Sequence, residues 1–181
     1  MIYSDKEMEM KAVMDAAQAM CAAARTAPKA RGIDHIVTAV LTGDEKDALA
    51  AEMERLGGEY GEDFFVRDSG NVRAAQAVVL IGIREGKRGL NSICGYCHYA
   101  DCAECERQGG VCAYDPVDVG IAVGSAVSVA ADWRVDNRVL FSAGRAAISL
   151  GTLGKGVGQV FAIPLSVSGK SPFFDRKKKA Q

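Results

Sequence analysis

Met10, Val13, Met14, Ala17, Cys21 and Ala24 recur at helical spacing behind a Ser4-Asp-Lys-Glu7 capping box, and Pro28 ends the pattern. This predicts a first helix to about Ala27, with the methionines as core filler and Cys21 as a small buried hydrophobe. His35 to Leu41 is short, β-branched and bounded by Gly32 and Gly43, the pattern of a strand. Asp44 to Leu56 is amphipathic and reads as a helix closed by Gly57-Gly58. Ala77 to Ile83 is an unbroken apolar run of strand length, as expected for a strand covered on both faces.

Asp115-Pro116 opens the next helix, with Asp115 as N-cap, proline at the first helical position and Asp118 adding charge at the positive helix end. This helix runs to about Trp133, and Gly120 and Gly124 give it a smooth face for close helix packing. A further helix spans about Asn137 to Leu150, the glycine-rich run Gly151 to Gly158 is a turn, and Gln159 to Ser166 reads as a last strand. Pro164 inside that strand favours an edge or a bulge. Helices and strands alternate irregularly and without a repeat, so a layered α/β or α+β domain over residues 1–181 is expected. Residues 91–114 form a cysteine-rich insertion.

A chain of 181 residues, about half apolar, buries one core, and its near-balanced charge gives no whole-chain field for nucleic acid or a membrane surface. The basic run Arg176 to Lys179 reads as a solvated terminus. Acids occupy the N-terminus where a signal peptide needs a basic start, and no stretch reaches the ~20 apolar residues of a membrane span. A cytoplasmic location is expected. In that reducing compartment, clustered cysteines point to metal binding or catalysis before disulfides.

Five of the six cysteines fall in CGYCHYADCAECERQGGVC, at Cys94, Cys97, Cys102, Cys105 and Cys112. Thiolates are the soft ligands that iron–sulfur clusters need, and closely spaced cysteines on a turning loop can converge on one cube. Four suffice for a [4Fe-4S] cluster. Cys94, Cys97 and Cys102 make a compact trio that Cys112 completes, leaving Cys105 as the excess thiol; a quartet ending at Cys105 is the alternative. Zinc also uses paired C-x2-C ligands, but its ribbons separate the pairs by ~12–20 residues and here the gap is four. Cys94 to His98 also matches the C-x-x-C-H signature of c-type haem, a chemistry that normally needs export. His98 then reads as an exposed loop residue or a hydrogen-bond donor beside the site. His35, on a strand, reads as structural.

Several segments together resemble a known family. Arg25-Thr-Ala-Pro-Lys-Ala-Arg-Gly32, Arg67-Asp68, the Cys-Gly-Tyr-Cys insertion, Asp118 to Ala126, Asp136-Asn-Arg138 and Ile163 to Arg176 are similar to small uncharacterised prokaryotic proteins described as containing a ferredoxin domain. The resemblance spans nearly the whole chain and implies cluster binding. His98 stands where glycine is expected in such proteins. The order of elements also resembles the FMN-dependent nitroreductases, which implies an α+β sandwich with a central mixed or antiparallel sheet, a homodimer, and FMN at the subunit interface. Lys29, Arg31, Lys170 and Arg176 are then candidates for the flavin phosphate, a dianion that needs cations or oriented N–H donors. The paired arginines with which nitroreductases usually open are absent from MIYSDKEM.

Three functions follow as expectations. The leading one is a [4Fe-4S] electron-transfer protein that exchanges single electrons with a redox partner protein or a small-molecule acceptor. The second is a flavin and iron–sulfur oxidoreductase, with the cluster feeding FMN. The third is a zinc-stabilised interaction module. No hydrolytic constellation is present.

Overall fold

The computed structural model describes residues 1–174. Helix α1 (Asp5–Thr26) starts on the expected capping box: the Ser4 side chain accepts from the Glu7 N–H, and Glu7 bonds back to the Ser4 N–H. Strand β1 (Ile36–Leu41) follows, then α2 (Gly43–Tyr60) and α3 (Asp63–Ala74). Strand β2 (Ala77–Arg84) leads into the cysteine segment, which contains a short α4 (Cys102–Arg107). The chain continues through α5 (Tyr114–Asp132), β3 (Asp136–Asn137), α6 (Phe141–Ser149) and β4 (Val157–Ser166).

The four strands form one sheet in the order β1-β2-β4-β3, with every neighbouring pair antiparallel. Alternation along β2 sorts the core into two layers. Ala77, Val79, Ile81 and Ile83 face α1 and α5, while Val78 and Leu80 face α2, α3 and α6. Both faces are covered, which is why β2 is apolar at consecutive positions. The architecture is the expected α+β sandwich, with the sheet antiparallel throughout.

Several local expectations are corrected. Helix α2 runs through Gly57-Gly58 and closes at Gly61, whose left-handed backbone (φ 70°) caps it. Met10 and Met14 lie on the exposed side of α1, and Met20 supplies the buried methionine. Asp115 is not an N-cap: α5 begins at Tyr114 and the Asp115 carboxylate is buried inside the first turn. Gly120 and Gly124 meet no neighbouring group within 4 Å, so they do not pack a second helix of this chain. Residues Asn137 to Leu140 precede α6 rather than forming its first turn.

Pro164 sits in β4, which has neighbours on both sides. Its nitrogen faces β3, and that ladder is interrupted there: Asn137 pairs with Leu165, and contact resumes only at the Leu140–Ala162 bridge. Proline occupies the one rung where no N–H is asked for.

Gly144 carries the closest helix–sheet approach. A Cβ at this position would lie 1.8 Å from the Val160 carbonyl oxygen. Gly144→Ala is therefore expected to cost about 2–3 kcal/mol, a fall in Tm of several degrees. Gly70→Ala, at an exposed position of α3 with nothing within 4 Å, should gain up to about 1 kcal/mol. Thermal unfolding of the two variants measures the contrast.

Candidate cluster site

The cysteine segment leaves the sheet after Arg84 and returns at α5. Arg88 pins it down. Its guanidinium is 1% exposed and reaches two α5 carboxylates: Nη2 donates to Asp118 Oδ2 at 2.9 Å, and Nη1 lies 3.0 Å from Asp115 Oδ1. Nη1 also donates to the Gly86 carbonyl at 2.6 Å and lies 3.2 Å from His35 Nδ1. Arginine only donates, so His35 Nδ1 accepts and its ring proton sits on Nε2. Asp118 Oδ1 accepts the Ala30 N–H at 3.0 Å, and Arg31 Nη1 donates to the Arg88 carbonyl at 2.7 Å. One buried cation thus ties the segment after β2, the start of α5 and the α1–β1 connection together. Burial alone would lower the Arg88 pKa; Asp118 and Asp115 outweigh it and the net shift is upward.

Beyond this tether the chain turns tightly. Gly95 and His98 both adopt positive φ, 65° and 62°, and the His98 N–H donates to the Gly95 carbonyl at 3.1 Å. His98 is exposed, and its left-handed backbone is the conformation glycine adopts most cheaply. The position where the family resemblance calls for glycine is one where the backbone favours it. Asp101 caps α4 by accepting from the Glu104 N–H at 2.7 Å, which places Cys102 at the first helical residue. The Asn91 N–H lies 3.4 Å from the Cys102 sulfur, a donor of the kind that stabilises a thiolate.

Four of the five thiols line one cavity. Cys94, Cys97, Cys102 and Cys112 surround a small cavity of about 20 Å³, with Arg88, Leu90, Tyr99 and Tyr114 in its wall. Cys105 does not line it. That residue is 1% exposed on α4, with its sulfur 3.8 Å from the Val111 carbonyl oxygen, and burial raises its pKa, with Cys97 adding to the shift. Cys21 lies on α1, outside the cluster, half-buried against the core, where burial again raises the thiol pKa.

Among the described residues, no three His, Cys, Asp or Glu side chains form a group that could hold a metal ion as they stand. The four thiols are instead spread around a cavity. An S4 zinc with bonds of ~2.3 Å would gather its sulfurs to about 3.8 Å from one another, whereas a cube with one iron per thiolate holds them further apart. All-thiolate donors around an enclosed, largely apolar space with a nearby cation suit an anionic iron–sulfur cluster.

Of the described candidate flavin-phosphate residues, Lys29 and Arg31 share the α1–β1 connection and Lys170 lies apart from them. Lys29 is engaged at the end of α1, donating to the Arg25 and Ala27 carbonyls at 2.6 and 2.8 Å. Arg31, at φ 58°, holds the Arg88 and Gly89 carbonyls. Lys170 follows β4 and lies toward the other end of the sheet, near the start of β2, where its backbone bonds to Ser168. Arg176 lies outside the described residues. Sequence reasoning missed a second constellation: buried Asp68 accepts from Ser142 Oγ at 2.8 Å and from Arg67, with Arg138 Nη2 3.8 Å away. Two of the motifs that carry the family resemblance, Arg67-Asp68 and Asp136-Asn-Arg138, meet here.

The architecture is that of the nitroreductases, and in this chain a cysteine-lined pocket sits at the start of α5. A putative nitroreductase from Desulfovibrio desulfuricans, solved in complex with FMN, superposes with a TM-score of 0.59 at 16% identity over 99% of this chain and 83% of its own. A nitroreductase with bound FMN from Desulfitobacterium hafniense gives 0.58 at 18% identity over 100% and 88%. Residues 108–176 match the family described as "Uncharacterized protein containing a ferredoxin domain" (DUF2148), a stretch that includes Cys112. An uncharacterized protein from Archaeoglobus fulgidus is 38% identical over 187 residues, covering 99% of this chain and all of the relative. The chain belongs to this ferredoxin-domain family.

Two variants probe the site's construction. Replacing Arg88 by Met strands Asp115 and Asp118 without their counter-ion and should cost about 3–5 kcal/mol in thermal unfolding. His98→Gly should be tolerated and gain about 0.5–1 kcal/mol by relieving the left-handed backbone, while leaving metal content as it was. Haem attached through the C-x-x-C-H signature would instead be lost with that histidine.

Proposed function

We propose that this protein is a redox protein that binds a [4Fe-4S] cluster through Cys94, Cys97, Cys102 and Cys112. The observation that carries the reading is that these four thiols line one cavity and the fifth does not. Ferredoxin-domain family membership and a redox-associated fold support it. A cluster so held would supply one-electron chemistry. The chain's own part is to keep four thiolates converged, exclude water with Leu90, Tyr99 and Tyr114, and offer the Asn91 N–H to sulfur. Cys105 is excess, a buried thiol packed under α4. No helix among the described residues is long and apolar enough to cross a membrane. We place the protein in a reducing cytoplasm, passing electrons to a redox partner protein or a small acceptor.

A second reading adds FMN, supported by the FMN-bound neighbours in fold. Arg31 uses only Nη1 toward Arg88 and Gly89 and keeps part of its fork for an anion, while Lys29 is committed to carbonyls. Lys170 would have to meet that phosphate from a second subunit, since β4 carries it to the far end of the sheet. The outward face of α5, where Val117 and Ile121 are exposed beside Gly120 and Gly124, suits a homodimer. On that reading the protein elutes at twice its 19.1 kDa chain mass.

Anaerobic purification with iron, sulfide and flavin analysis tests both readings. About four irons and four sulfides per chain are expected, with a ~400 nm shoulder that dithionite bleaches. Cys105→Ser should retain that content, and Ser at Cys94, Cys97, Cys102 or Cys112 should lose most of it. Zinc in a colourless protein would instead establish the interaction module, and flavin released on denaturation would establish the second reading.

A further inference from the structure

The wall of the cysteine cavity contains a charge that thiolate binding does not itself require. Arg88 is buried beside Cys112, and its two counter-ions are buried as deeply, Asp115 at 0% and Asp118 at 2% exposure. Burying one guanidinium and two carboxylates carries a large desolvation cost and is poorly accounted for as a source of stability. A salt bridge that only fastened a loop would do as well at the surface.

The pairing is also unequal. Asp118 is fully used, accepting from Arg88 and from the Ala30 N–H. Asp115 accepts from the Gly86 N–H at 3.3 Å, but its Oδ1, although 3.0 Å from Arg88 Nη1, has no well-aligned hydrogen bond. His35, with Nδ1 accepting from Arg88, is neutral and adds no charge. Two carboxylates against one guanidinium leave a fixed charge of minus one, behind a wall where water does not screen it.

Resting on the four-cysteine cluster reading, we propose that the Arg88–Asp115–Asp118 trio sets the reduction potential of the site and keeps it low. Reduction adds one electron from an external donor to an already anionic centre. The trio's net negative charge opposes that addition, and Arg88, on the cavity wall, limits the opposition. Arg88 is therefore a positioning and charge-setting residue that lines the cavity without supplying a ligand. Its two effects are separable, because a structural tether has no preferred sign of potential shift.

The test is a mediated anaerobic redox titration of the purified holoprotein, followed by electron paramagnetic resonance, with dithionite as reductant. Asp115→Asn removes one negative charge and leaves Arg88 on Asp118. At the wild-type midpoint it should raise the reduced-to-oxidised ratio tenfold or more, a shift of about 59 mV for a one-electron couple. Arg88→Gln should move the ratio the other way by a similar factor. Where Arg88→Gln does not fold, Arg88→Lys carries that arm: it keeps the charge and should stay within threefold of wild type while losing thermal stability. A loaded Asp115→Asn or Arg88→Gln whose ratio stays within twofold of wild type overturns the proposal, as does a loaded Arg88→Lys that shifts as far as Asp115→Asn, or a shift of the same sign in Asp115→Asn and Arg88→Gln. Loss of the cluster from Asp115→Asn alone would also overturn it, by assigning the trio to assembly. A wild-type chain without iron and sulfide fails the cluster reading instead, and that is seen before any variant is made.

Discussion

The ion pairs of Arg88 with Asp115 and Asp118 are the constraint on which the rest of the site depends. They join the exit from β2 and the approach to β1, which the sheet already sets side by side, to the first turn of α5, which belongs to the helical layer. Without them the start of the cysteine segment would keep only backbone contacts, such as those of Arg31 with the Arg88 and Gly89 carbonyls. With them, Cys112 is fixed relative to α5 and the earlier cysteines are carried on a segment whose origin is held against the same helix. A buried charge cluster gives orientation that an apolar contact does not, because it is satisfied in one arrangement only.

The sandwich beneath serves this end. Strand β2 is apolar on both faces and therefore central, and its C-terminal end is where the cysteine segment departs. Helix α5 packs antiparallel to α1, with Ser125 Oγ donating to the Ala23 carbonyl at 3.1 Å and Asp118 meeting Ala30 one turn beyond the end of α1. The rigid layers thus present the start of α5 as a fixed post. Ligands for a redox group are better placed on such a post than on a free loop.

Much of this is legible in the residues. The capping box at Ser4 and the double-faced run of β2 are local signals, and each corresponds to a feature of the structure. What is not legible is long-range. Helix α3 carries the polar residues Asp68, Ser69 and Asn71 on its buried side, so its pattern lacks the apolar stripe that marks α1. Asp115 and Asp118 read as helix-end acids because that is their commonest use. Their spacing on a face otherwise made of Val119, Ala122 and Ala126 is the available hint that they are buried and need a cation. Nothing local names Arg88 as that cation. Met10 and Met14 have core periodicity, yet they fall on the margin of the α1 stripe that the sheet and α5 leave uncovered.

Pro164 has a reach beyond its own strand. By register it stands opposite Arg138, at the interrupted rung between β4 and β3. An N–H there would seek an acceptor, and the nearest remedy would be to extend β3 through residues 138 and 139. Arg138 would then be drawn into the ladder and away from Asp68 and the Phe173 carbonyl, which it now approaches at 3.8 and 3.5 Å. A single hydrogen absent from the sheet thus keeps an arginine at liberty to bridge α3 to the segment after β4.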